Sequence, residues 1–302
     1  MKFVLPKNRN DLKKIVSLRV SVRTSPIYLM LVNPANITEK KYKKLSIKAA
    51  LTGFVYCISD TLNPAILSFN EIAFDTSDKS KSTEDLYATA FENTEELNDR
   101  YDEIVILHDN NLATFVPTAL FDEQYLGSYL QYNTKVFETD FYAFDDIATY
   151  QMNTVYIPYV NINNFLLDQF GTFVYRHAHT VLVSKLLDIS KNIDEKKVFV
   201  HMAQGHFEII VVQNQHLLLF NSFEYKTPED LIYYLLFTAE QLNLNPETLK
   251  LEFLGDITED DAFFNIAYKY IRNVSLFDVA DFQQHNNFST GENREYFILF
   301  QS

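Results

Sequence analysis

The stretch VFVHMAQGHFEIIVVQNQHLLLFNSFEYKTPEDLIYYLLFTAEQLNL, Val198 to Leu244, holds one complete structural phrase. Three apolar runs, Lys197 to Met202, Phe207 to Gln213 and His216 to Phe223, are separated by Ala203 to Gly205 and by Asn214 with Gln215. That spacing predicts a three-stranded meander. Thr227 then opens a helix with Pro228 at its first position and Glu229 and Asp230 in its first turn, running to Leu242. Leu231, Tyr234, Leu235, Thr238 and Leu242 give it a broad inward face. Tyr225, Tyr233, Tyr234 and Phe237 fall around the helix instead of along one side, so it needs cover on more than one side, by domain packing or by dimerisation. Downstream, the pattern predicts a strand Lys250 to Leu254, a helix Asp260 to Tyr270, a strand Asn273 to Phe277 and a closing strand Tyr296 to Phe300.

Upstream, the same programme is already present. Leu45 to Ala50 and Phe54 to Asp60 flank Leu51, Thr52 and Gly53, a hairpin turn, and Ala65 to Phe74 follows as a third strand. Thr83, followed by Glu84 and Asp85, caps a helix through Asn98. Strands are predicted at Glu103 to His108, Ala113 to Val116, Thr154 to Pro158 and Thr172 to Arg176. Helices are predicted at Leu120 to Tyr132, at Asn163 to Gln169, ended by Gly171, and at Thr180 to Leu187. Strand, strand, strand, helix, strand, helix, strand is therefore written twice.

Composition narrows the function. With 302 residues and 47% hydrophobic residues, the chain can bury one large core or two medium ones. No apolar run approaches the roughly 18 residues of a membrane span. The single cysteine, Cys57, excludes an intrachain disulfide and a CxxC zinc site, and reads as a small buried hydrophobe in a reducing, cytoplasmic compartment. Twenty-six basic residues against 40 acids give a net charge of −14, which disfavours nucleic acid as a partner. The basic residues are uneven. Residues 1–35 hold seven Lys or Arg and one acid, a net +6, so the rest of the chain carries −20. This marks 1–35 as a basic extension ahead of two domains, 36–190 and 191–302. Only six glycines occur, few for a protein built around phosphate-cradling loops.

The duplicated programme resembles the actin and sugar-kinase ATPase superfamily, an α/β fold of two ribonuclease H-like domains flanking a cleft. Val116, Pro117 and Thr118 to Leu120 look like the strand, proline, helix junction of its first domain, and Ile157, Pro158 and Asn161 to Phe165 like the next such junction, which crosses between the domains. LSIKAALTGFVYCISD at Leu45 to Asp60, VPTALFDE at Val116 to Glu123 and the opening stretch resemble the degenerate actin-like family of Bacteroidetes known as domain-of-unknown-function family 3822. The meander also looks like that of the actin-like proteins of type IV pilus and type II secretion assembly.

In the active superfamily, two hairpin turns with an early acid and glycines, plus a glycine pair near adenosine, hold Mg-ATP. The resemblance places these elements at Thr52 and Gly53, at Gln204, Gly205 and His206, and at Gly255 and Asp256. Both turns lack the acid, the second carrying His201 and His206 instead, and the third element has one glycine. The expectation is a non-catalytic cytoplasmic protein, without cofactor or metal, that binds a protein partner or itself. The alternative is a divergent ATP-binding phosphotransferase or ATPase.

Other constellations are weaker. His177 and His179, spaced to share one face of a strand, would form a metal-dependent hydrolase with His201, and Arg176 lies beside them. Asp256, Glu259, Asp260 and Asp261, or Asp145 with Asp146, offer paired carboxylates. The helix dipole accounts equally well for acids ahead of a helix.

Overall fold

The computed structural model describes residues 42–75, 80–137, 139–282 and 286–302; the basic extension 1–35 and the start of the first expected domain lie outside the described residues. The first half opens with β1 (Lys43–Ala50), β2 (Gly53–Asp60) and β3 (Ala65–Ala73), then α1 (Thr83–Glu92) and β4 (Glu103–His108). An excursion follows, comprising β5 (Ala113–Pro117), the short helix α2 (Leu126–Leu130), β6 (Ala143–Ile147) and β7 (Met152–Tyr156). The half closes with α3 (Val160–Phe170), β8 (Val174–His177) and α4 (Ala178–Ile189). The second half repeats the opening as β9 (Lys197–Ala203), β10 (His206–Gln213), β11 (His216–Glu224), α5 (Pro228–Gln241), β12 (Lys250–Gly255), α6 (Ala262–Tyr270) and β13 (Asn273–Leu276). It ends with α7 (Thr290–Glu295) and α8 (Phe297–Phe300).

The duplication is explicit in the sheets. One has the strand order β3-β2-β1-β4-β8 and the other β11-β10-β9-β12-β13, each an antiparallel meander extended by two parallel strands. The excursion forms its own antiparallel sheet, β5-β7-β6.

Each five-stranded sheet is covered on both faces, which is why its central strands read as continuous apolar runs. The outer face of the first sheet buries Leu45, Ile47 and Tyr56 against Tyr87 and Phe91 of α1 and Leu166 of α3. The second buries Val198, Val200 and Phe253 against Leu231 and Leu235 of α5 and Phe264 of α6. The inner faces meet a shared core around α4, in which Leu182 and Leu186 pack with Leu107, Phe199, Ile210 and Phe297.

Four expectations need correction. The N-cap of α1 is Ser82, not Thr83, its Oγ accepting from Asp85 N at 3.2 Å, and the helix ends at Glu92, with a separate 3₁₀ turn at 95–98. Phe297–Phe300 is the helix α8, not a closing strand. All four of its residues are buried, and a segment that is apolar on every side has no periodicity to separate strand from helix. The expected helix Leu120 to Tyr132 breaks into two single 3₁₀ turns, 118–120 and 123–125, before α2. There the Asp122 side chain accepts from the Gln124 amide at 2.9 Å, offering the backbone an alternative to the helix. His177 and His179 do not share a strand face, because His177 is the N-cap of α4 and its Nδ1 accepts from the His179 amide at 3.1 Å.

Candidate functional site

The β1–β2 turn carries Thr52 and Gly53. Thr52 O accepts from Phe74 N at 2.8 Å, and the Tyr87 hydroxyl from α1 reaches Ala50 O at 2.9 Å and Gly53 O at 3.3 Å. Gly53 has φ +151°, and a Cβ there would stand 2.2 Å from Ile72 O. Its glycine is therefore demanded by the adjacent strand β3.

The β9–β10 turn repeats the arrangement. Gly205, at φ +83°, donates its amide to the Tyr225 hydroxyl at 3.3 Å, and that hydroxyl donates to Ala203 O at 3.0 Å. Tyr225 N closes the loop on Gly205 O at 3.2 Å. Gln204 and Gly205 are exposed. Gly255 ends β12 beside Met202, where a Cβ would come within 2.1 Å of Met202 O, and Asp256 N donates to the same carbonyl at 3.2 Å. Gln204, Gly205, Gly255 and Asp256 are thus brought together around the end of β9. Among the described residues no hydrogen bond or ion pair joins them to Thr52 or Gly53.

Between the sheets lies a polar cluster. Glu208, on β10, is fully buried, and its Oε2 lies 2.8 Å from His201 Nδ1. Its Oε1 lies 3.4 Å from His179 Nε2 and 3.3 Å from His206 Nε2, and accepts from Ser222 Oγ at 3.1 Å. Burial disfavours the Glu208 charge, but the neighbouring His179 and His201 outweigh it and hold the carboxyl well below its usual range. On the first-half side, Lys48 Nζ pairs with Asp109 Oδ2 at 3.1 Å, with the two side chains 21% and 20% exposed. Burial opposes the Lys48 charge, yet Asp109 raises its pKa, and Lys48 in turn lowers that of Asp109. His177 is driven well below its ordinary value by burial and then by the neighbouring His179 and His108.

Nearer the turns, the balance is acidic. Glu71 accepts from the Tyr296 hydroxyl at 2.8 Å. Burial, with Asp256 and Glu71 close by, raises the Glu295 carboxyl, against which Lys48 is the opposing charge.

Of the candidate histidines, His179, His201 and His206 converge on the Glu208 carboxylate, whereas His177 Nε2 lies 3.2 Å from Asn110 Oδ1, and among the described residues no group of three or more His, Cys, Asp or Glu could hold a metal ion. Asp145 accepts from Thr180 Oγ1 at 2.6 Å and His177 N at 2.8 Å, while Asp146 is exposed, so the two do not act as a pair. Asp261 caps α6 through Phe263 N at 2.8 Å. Lys48, Asp109 and Glu208 were not singled out from the sequence. A lone charge inside an apolar strand, as in LSIKAA and HFEIIVV, was the available signal.

Two matched five-stranded sheets around shared central helices define the actin-like ATPase fold. A solved structure from Bacteroides thetaiotaomicron VPI-5482, described as a protein with an actin-like ATPase fold and unknown function, matches with a TM-score of 0.74 and 24% identity, covering 88% of this chain and 98% of that one. A chain of the PilM–PilN type IV pilus biogenesis complex matches with a TM-score of 0.55 and 11% identity, covering 87% and 96%. The model of the family described as protein of unknown function (DUF3822) matches residues 33–274, and the chain belongs to that family. No curated protein matches the sequence.

Proposed function

We propose that this protein is a non-catalytic, cytoplasmic protein-binding scaffold that keeps an actin-like frame without using it on a nucleotide. The observation that carries the reading is the state of the two hairpin turns. At the second turn the Gly205 amide, a donor that would face phosphate in an active member, is taken by the Tyr225 hydroxyl, and at the first the Tyr87 hydroxyl ties the carbonyls of Ala50 and Gly53 to α1. Neither turn has a carboxylate to order a metal hydration shell. Asp256 and Glu71 both act on the Glu295 carboxyl, and Lys48, the opposing charge there, is already paired with Asp109, which disfavours a polyphosphate. The same fold serves in a chain of the PilM–PilN complex, which supports an assembly role without naming a partner.

A thermal-shift titration of the full chain with millimolar Mg-ATP, Mg-ADP and EDTA tests this. The scaffold predicts one unchanged midpoint throughout. A bound nucleotide at a hundred times its dissociation constant stabilises by about 2.7 kcal/mol. A shift of that size would overturn the proposal in favour of a divergent ATP-binding enzyme.

A further inference from the structure

The sequence requires cover on more than one side of α5, and the structure supplies only part of it. Tyr234 stacks on Phe223 with centroids 4.2 Å apart, and Tyr225 packs on Phe263 at 4.7 Å. Tyr233 and Phe237, one helical turn apart with rings nearly parallel at 6.4 Å, remain 64% and 49% exposed. The neighbouring helix α6 adds Tyr268 and Tyr270, 62% and 50% exposed, which lie two residues apart and so point to different sides of that helix. The duplication provides an internal control: α1 and α3 cover the equivalent face of the first sheet and expose no large aromatic side chain. The fold itself therefore does not require solvated rings on these helices. At 150–250 Å² per ring, the Tyr233–Phe237 pair leaves on the order of 200 Å² exposed, enough for the apolar centre of a standard interface of roughly 800 Å² per partner.

Charge selects the occupant. The outward side of α5 places acids, Glu229 and Glu240, at either end of the ring pair, whereas the end of α6 carries Lys269 and Arg272, all four exposed. None of the four has an ion-pair partner among the described residues. Two α5 helices facing each other would set acid against acid. Laying α5 of one copy on α6 of another matches acid to base, and a two-fold axis makes that contact twice. We infer that the α5–α6 face, through Tyr233 and Phe237 of α5 and the basic end of α6, is the interface of a two-fold homodimer in which α5 of each copy meets α6 of the other.

Sedimentation velocity on the full chain across a micromolar concentration series tests this. The expected result is a reversible dimer. Tyr233→Ser with Phe237→Ser, both solvent-facing, will leave monomer at every concentration, with a thermal midpoint confirming that the variant folds. Lys269→Glu will raise the dissociation constant about tenfold, and adding Glu240→Lys will restore it. A wild-type chain that stays monomeric, a dimer indifferent to loss of the ring pair, or a charge reversal without rescue would overturn the inference. The nucleotide titration above is independent of each of these outcomes.

Discussion

Gly255 and Gly205 have almost the same φ, +82° and +83°, but different surroundings. A methyl group at Gly255 collides with the Met202 backbone, whereas at Gly205 it meets nothing within 4 Å. Gly255→Ala is expected to cost on the order of 3–5 kcal/mol, from the positive φ together with the clash, and Gly205→Ala only about 1 kcal/mol, from φ alone. Urea midpoints of the two variants measure the difference, and equal losses would contradict the close approach of β12 to β9. Thr52, Gly53, Gln204 and Gly205 were legible as residues of the two hairpin turns from their glycines and spacing, whereas Gly255 was named only through the family resemblance. Whether each glycine serves a ligand or a neighbouring strand was not legible, because the φ angle and the nearest carbonyl belong to the folded chain.

In the hairpin β9–β10, one tyrosine hydroxyl both accepts from Gly205 N and donates to Ala203 O, tying the turn to the chain just beyond β11. Tyr225→Phe removes both hydrogen bonds and keeps the ring on Phe207 and Phe263. A loss of about 1 kcal/mol in chemical denaturation is expected, since the freed groups sit at an exposed turn and regain water. The variant is also expected to remain without a midpoint response to Mg-ATP, because the missing acid is not restored. A nucleotide response in Tyr225→Phe alone would mean that the hydroxyl is a removable plug over a working site. The hairpins and α5 were readable because alternating apolar runs, turn residues and an acid-rich first turn agree locally. The segment Phe297–Phe300 was not, since burial on all sides leaves no period to read.

Across the molecule, buried ionisable groups set the pH dependence. Burial pushes the His108 imidazole down to about 4. Unfolded, it takes up a proton near 6.5, so its contribution is complete above that pH and is lost as the pH falls toward 4, worth roughly 3 kcal/mol. Glu208 acts in the same direction at lower pH. Its depressed carboxyl stabilises the fold above the ordinary value of about 4.3, and this is lost as the pH falls through its folded value. Urea midpoints measured from pH 7.5 to 4.5 are therefore expected to decline below about 6.5. His108→Gln is expected to flatten that decline, and an unchanged slope would contradict the neutral buried imidazole. The sequence by itself determined the duplicated α/β programme, the two hairpins and the absence of an acid from both, because these depend on local periodicity and residue type. Only the tertiary structure decided that Lys48, Asp109, Glu208 and the histidines of three separate elements meet between the sheets, and that Tyr87 and Tyr225 occupy the turns. The Lys48–Asp109 and His179–Glu208 contacts join residues 61 and 29 positions apart, on different elements, and nothing local in the chain encodes which distant side chain arrives.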